Sequence, residues 1–432
     1  MKSIRGRGLL CLLLLWGLCS SSLMLAWRNP TEGETDRLHR TPTDKELHIF
    51  VLSPQMQMQV GAVDLTTLHQ IVCHYENRLV GLLPNERKNL AGKLLGVSVR
   101  LGKTIYIDLP IARWFTIVQH EVFGHGARVR EFRGEASYTL YHPWSRKRAF
   151  TSFRLQDITI SDLIQVTGGG IESNQVMAWE MERRMYGENP LHCYDWLIFA
   201  INRYVVNQYI NSTPDPQLHP QAFSEEYNDG GDIAAYLAEM NYKYHGHYGV
   251  HPEEADPLLA DNYQRIKKEA IWNLLDPALW LGVYYYGRYI LTGKEKLTLP
   301  MLPLWGIRLM GGTRYNLTPI GAERYLDLYI KKGRHLFNFY LRKGSFEEKG
   351  WYGWGCGADR LWRYNNSHLG LRLDWWDQLK TGIGGNLEGE LHHYLTPEVG
   401  IILQGGYKTE GYLMGKPAAP GIYTFFGTLV KF

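Results

Sequence analysis

Two histidines and a glutamate in the stretch QHEVFGHGARVRE, residues 119–131, are the residues of this sequence best suited to chemistry. His120 and His125 offer imidazole nitrogens, the commonest metal ligands among side chains, and Glu121 offers a carboxylate beside the first. Their spacing poses a geometric problem. Residues four apart on an α-helix are separated by about 40° around the axis and can face one ion; residues five apart are separated by about 140° and cannot. One extra residue in a turn, a π-bulge, removes the conflict, and such bulges cluster at functional sites. Gly124, with Gly126 close behind, permits a bend there at little steric cost. The spacing therefore predicts an irregular turn, a helix ending near His125, and both rings on one cation. Glu121 then stands where a general base for a metal-activated water is needed.

A catalytic zinc takes three protein ligands and keeps one position for water. The expected third ligand is Glu172 in GGGIESNQVMAWEMERR. It follows three glycines that read as a turn, and shares a stripe with Gln175, Val176 and Trp179. The plainer role for Glu172 is to complement a helix dipole. Glu180 and Glu182 fit pairing with Arg183 and Arg184 better than ligation. Asn174 is the expected partner that orients a ligand histidine. A second cluster, YHGHYGVH, holds His245, His247 and His251. Loop histidines between glycines are mostly solvated, yet His247 or Tyr248 is a candidate to polarise a substrate carbonyl. The chain lacks a GxSxG elbow, a phosphate-cradling GxxxxGK[ST] and a dinucleotide GxGxxG after a strand.

Four sequence regions must position these groups. Residues 1–26 have a basic start, an apolar run and small residues after it, the layout of a cleaved signal peptide. Residues 27–45 read as a polar linker. Residues 46–300 carry helical periodicity, with one expected hairpin in LLGVSVRLGKTIYIDLP (94–110) just before the His-Glu stretch. From 303 to 432 the period becomes two. Leu326, Leu328 and Ile330 oppose Tyr325, Asp327 and Tyr329; Leu387 and Leu391 oppose Glu388, Glu390 and His392. Each expected strand has a greasy face and a polar, often charged face. Eight such segments, rich in Trp and Tyr and ending on Phe432, predict an antiparallel eight-stranded barrel with lipid outside and polar residues inside. A soluble sandwich alternates in the same way.

Composition narrows the classes further. The net charge of +4 over 432 residues, with no Lys/Arg block, argues against nucleic acid as a partner. Cys73, Cys193 and Cys356 remain after the signal, too few and too far apart for a disulfide framework. His120 and Glu121 as they stand resemble the HExxH signature of zincin metallopeptidases, although the position four after His120 is Gly124. That resemblance implies a zincin-like domain, one Zn2+, a peptide or protein substrate, and TIYIDLP as an edge strand beside the active-site helix. The last 130 residues resemble bacterial outer-membrane barrels. The combined expectation is an α+β protein: a mostly helical zincin-like domain with a small hairpin, then a barrel. It would be exported to the periplasm or outer membrane and act as a zinc-dependent hydrolase. A non-enzymatic barrel protein with a periplasmic binding domain is the rival. A metal-dependent hydrolase of lipid or glycan esters is the third reading.

Overall fold

Alternation in the C-terminal third does build strands, and they form one antiparallel sheet. The computed structural model describes residues 47–53, 56–81, 90–187, 191–223, 231–251, 254–297, 299–333 and 335–431. The expected signal peptide, most of the linker and terminal Phe432 lie outside the described residues. Strand β1 is Leu47–Leu52, β2 is Glu135–Thr139 and β3 is Phe150–Arg154. The main sheet adds β4 (Leu302–Leu304), β5 (Ile307–Thr318), β6 (Gly321–Lys332), β7 (His335–Phe346) and β8 (Lys349–Tyr364). It continues with β9 (Ser367–Gln378), β10 (Gly382–Tyr394), β11 (Val399–Lys408) and β12 (Gly421–Lys431). From β4 to β12 each strand pairs with the next, and β1 joins the far edge against β12, giving ten strands.

The expected closed eight-stranded barrel does not form. Closure would need β12 to pair with β5, and both are otherwise engaged. β1 takes the edge of β12, and the edge of β5 is paired with β4 at its start and met by the 3-10 segment Ala270–Leu275 further along. There Asn273 Oδ1 accepts from the Tyr315 backbone N–H at 2.7 Å, and Thr313 Oγ1 donates to the Trp272 carbonyl at 2.8 Å. Side-chain partners thus satisfy an edge that would otherwise expose backbone groups.

Sheet polarity is inverted relative to an ordinary core. Tyr325, Asp327 and Tyr329 on β6, Asn338 and Arg342 on β7, and Asp374 on β9 are buried on the concave side. Leu326, Phe339, Leu341, Leu387 and Phe426 stand exposed on the other side, Leu341 at 63%. The inward charges are matched. Arg314 holds Asp327 through two bonds of 2.7 Å, Arg342 holds Glu323 at 3.2 Å, and Lys416 pairs with Glu388. Tyr340 donates to Asp374 at 2.5 Å.

The helices are α1 (Met58–Gly81), α2 (Leu90–Lys103), α3 (Leu109–His120), α4 (Gly126–Glu131), α5 (Ile160–Gly187), α6 (Asp195–Ser212), α7 (Asp232–His245), α8 (Pro257–Glu269) and α9 (Pro277–Thr292). None of the described helices is long and apolar enough to cross a membrane. Two expectations fail here. Residues 94–110 are not a hairpin: α2 runs through a π-helical segment, Thr104–Asp108, into α3. The residues directly before the His-Glu stretch are therefore helical, not a strand. Gly168–Gly170 are not a turn but lie inside α5, a helix of 28 residues. Its C-terminal half sits on the concave face of the sheet, where Arg372 stacks 4.1 Å over Trp179 and Arg183 reaches Asp359 at 2.6 Å. Its N-terminal half packs on α3, α6 and α7.

Candidate metal centre

The irregular turn expected from the five-residue spacing is present. Glu121–His125 is a π-helical segment between α3 and α4. The helix does not end at His125, as expected, but continues to Glu131. The wider turn brings the two rings together. His120 Nε2 and His125 Nε2 lie 3.1 Å apart.

Each imidazole has its other nitrogen fixed. Asn174 on α5 donates through Nδ2 to the Thr116 carbonyl and to Asn202 Oδ1, at 3.1 and 2.8 Å. Its Oδ1 is therefore free to accept from His120 Nδ1–H, at 2.8 Å. His125 Nδ1–H donates to the Val166 carbonyl at 2.7 Å. A neutral imidazole protonated at Nδ1 keeps its lone pair on Nε2. Two lone pairs thus face one point. Asp232, the first residue of α7, completes the set: its Oδ2 lies 2.9 Å from His120 Nε2 and 3.5 Å from His125 Nε2. Two nitrogens each 2.0–2.1 Å from a tetrahedral zinc stand roughly 3.3 Å apart, so the spacing suits that ion.

Glycine makes the room. A Cβ on Gly170 would sit 2.5 Å from His125 Nε2 and closer still to that of His120. A Cβ on Gly124 would meet Gly170 Cα and the Gly169 carbonyl at 2.7 Å. Glycine in a helix interior costs about 1 kcal/mol relative to alanine, and here it lets α5 approach the π segment and leaves a cradle at the ring nitrogens.

Electrostatics agree with the geometry. Burial opposes charge on His125, but Asp232, with Glu121 and the Val166 carbonyl, outweighs it and lifts the imidazole to about 9. Burial would raise the Asp232 carboxyl, yet His125 and His120 hold it well below the usual range. Without a metal the pair therefore shares a proton where the cation would sit.

Glu121 is buried, and Thr151 on β3 donates to its carboxylate at 2.6 Å. The strand beside the site thus comes from the β2–β3 hairpin after the helix, not from residues before it. Tyr209 on α6 went unrecognised in the sequence. Its ring stacks on His120 with centroids 5.1 Å apart, and its hydroxyl lies 3.4 Å from His120 Nε2. Burial, with Asp232 and Glu121 nearby, pushes the phenol well above its ordinary value, so it stays a proton donor.

Three expected site residues lie elsewhere. Glu172, the expected third ligand, is engaged elsewhere: both its oxygens accept from Arg128, at 2.7 and 2.8 Å, and it also accepts from the Gly415 N–H at 2.8 Å. A carboxylate so engaged has no lone pair directed at the histidines. His247 and Tyr248 follow the far end of α7, whose 14 residues separate them from Asp232 by roughly 20 Å. His247 is more than half exposed near Asp256, and Tyr248 stacks on Tyr242. A second acidic cluster, Cys73, Glu76 and Asp108, already encloses Lys103, 3.5 Å from Glu76 and bonded to Asp108. Its negative charge is met from within. Cys73, Cys193 and Cys356 are free thiols. No family model matches the chain, and neither a curated protein nor a solved structure matches it.

Proposed function

We propose that the protein is a zinc-dependent hydrolase of the bacterial cell envelope, and more narrowly a metallopeptidase. One observation carries the reading: His120 Nε2, His125 Nε2 and the Asp232 carboxylate converge within bonding range of one point while both Nδ1 protons are committed elsewhere. Two imidazoles and one carboxylate are the donor set of many catalytic zinc sites, and the Gly170 cradle keeps side chains out of the space beside them. Zinc bound there would supply Lewis acidity, lowering the pKa of water and polarising a carbonyl. The protein's own groups do the rest. Glu121, held by Thr151, takes the proton of the attacking water and passes it to the departing amine. Asn174 and the Val166 carbonyl hold the imidazoles in the ligating tautomer. Tyr209 O–H points a donor at the side of the centre where negative charge develops on the substrate oxygen.

Location is part of the proposal. The basic, apolar and small-residue layout of residues 1–26 supports export. The exposed leucines and phenylalanines outside the sheet, over an inside where Arg314, Arg342 and Lys416 each meet a carboxylate, support contact with outer-membrane lipid. One observation favours the ester-hydrolase variant of the same chemistry. Ile105, Tyr106 and Trp144 form an exposed apolar patch near α3, tied by a 2.7 Å bond from Trp144 Nε1 to the Tyr106 carbonyl. Activity on phospholipid but not peptide would select it.

The decisive experiment is metal analysis of the detergent-purified chain. About one zinc per chain is expected in wild type, near zero in Asp232→Ala and His120→Ala. Glu121→Gln should keep its zinc and lose about 100-fold or more in hydrolysis. Zinc-free wild type that cannot be loaded, or full activity in Glu121→Gln, overturns the reading.

A further inference from the structure

Helix α2, with its π-helical continuation, packs against α9, and the pair has its polarity turned inside out. Polar groups lie between the helices. Arg100 Nε donates to the Ile290 carbonyl at 2.8 Å, the hydroxyls of Thr104 and Tyr286 lie 3.0 Å apart, and Tyr286 donates to Asp108 at 3.3 Å, where Lys103 is buried beside it. The outer faces are apolar. Leu94, Leu101 and Ile105 stand exposed on one helix, and Trp280, Tyr284 and Leu291 on the other, Trp280 at 61%. Intervals of four and seven residues put each trio on one stripe. Soluble monomers rarely leave apolar surface of this extent uncovered. The sheet shows the same inversion, with charges inside and leucines outside. What two such different regions share is the medium that their outer faces meet.

The rim of the patch narrows the choice of medium. Exposed Trp144 donates through Nε1 to the carbonyl of Tyr106, the neighbour of Ile105, at 2.7 Å. The loop between β2 and β3 is thereby fixed at the edge of the stripe. That loop carries Arg146, Lys147 and Arg148, consecutive and exposed, none with an ion-pair partner among the described residues. Residues 90–120, 140–149 and 277–292 hold eight lysines and arginines and a single acid, Asp108, which is buried. A second copy of this face would therefore set cation against cation. A bilayer offers acyl chains beside a layer of phosphates, and so matches both the stripe and its rim. We propose that the α2–α9 face docks on an anionic phospholipid surface, with Trp144 and residues 146–148 at the headgroups. The inference rests on the membrane location proposed above and extends it from the sheet to the helices.

The test uses the full chain reconstituted in bilayers of phosphatidylcholine and phosphatidylglycerol. Cys73 and Cys193 are buried, so a Cys11→Ala/Cys19→Ala/Cys356→Ala background leaves each new cysteine to be labelled alone. Nitroxides go on Leu101→Cys and Tyr284→Cys for the helices, Leu341→Cys for the sheet and His247→Cys for a site in water. At 101 and 284, collisions with oxygen should persist and collisions with a water-soluble nickel chelate should be lost, as at 341 and unlike 247. A fluorophore on His142→Cys should be quenched more by nitroxide-headgroup lipid that is anionic than by its zwitterionic counterpart. That preference should vanish in Arg146→Gln/Lys147→Gln/Arg148→Gln and weaken at high salt. Chelate reaching 101 and 284 while 341 stays shielded overturns the docking alone. Labels closed to both reagents reveal a protein cover, a second copy or another chain, and overturn it too. Chelate reaching 341 as well removes the membrane location, and this inference with it. Equal quenching by the two headgroups overturns the anionic preference.

Discussion

Two buried polar regions of this molecule differ in how their charges are met. On the concave face of the sheet, Arg314 meets Asp327, Arg342 meets Glu323 and Lys416 meets Glu388. At the junction of α3, α5 and α7, two imidazole lone pairs and a carboxylate face one another with no side-chain cation among them. The first region meets these charges from within. The second needs a proton or a metal. Burial of charge is common to both, so burial alone does not mark a site; an unbalanced set of convergent donors does.

Glu172 lies close to both regions and gives the largest test. Glu172→Ala removes the bonds from one of the two carboxylates that hold the buried Arg128 guanidinium, leaving Glu131 at 2.8 Å, and should cost about 2–3 kcal/mol in urea unfolding while zinc stoichiometry stays unchanged. Zinc loss with stability intact would put Glu172 back among the ligands and dissolve the distinction. Gly170→Ala acts on the other side. Alanine suits a helix, but its methyl overlaps both Nε2 atoms. Zinc affinity, measured by competition with a chelating dye, should fall about 100-fold or more, with a stability cost of about 1–3 kcal/mol as the rings are displaced. Unchanged affinity would mean that the cation does not sit between those nitrogens.

The smallest effect is in pH. In metal-free protein the His125–Asp232 contact requires a charged imidazole. Its folded value of about 9 lies above the ordinary 6.5, so the contribution is whole below 6.5 and is lost as pH rises through 9. Apo wild type should therefore lose about 1–3 kcal/mol over that window, and Asp232→Asn should not. A flat profile in wild type would show that the pair is not charged as described.

Legibility in the sequence followed the range of each interaction. The histidine pair and its widened turn were readable because spacing and helix geometry sit within six residues. The period-two pattern after residue 303 was readable for the same local reason. Asp232 was not: it lies 112 residues from His120, and an acid in a first helical turn looks like dipole compensation. Gly168–Gly170 misled because glycine disfavours helix interiors, whereas here close packing outweighs propensity. Val97, Val99, Ile105 and Ile107 imitate a strand, and tertiary context made them helical. Barrel closure failed on contacts that no strand encodes, the Asn273 side chain on β5 and β1 on β12.

The surplus residue in the Glu121–His125 turn is absorbed where it stands. Deleting Phe123 would restore a four-residue interval between the histidines, which a regular helix accommodates. The residues after His125 would keep their spacing from it, so Arg128 would still meet Glu172, and Glu131 the Ala418 amide it now accepts from at 3.0 Å. The widened turn thus lets one rod carry an extra residue while a single angular alignment serves both the cation and the loop that follows β11.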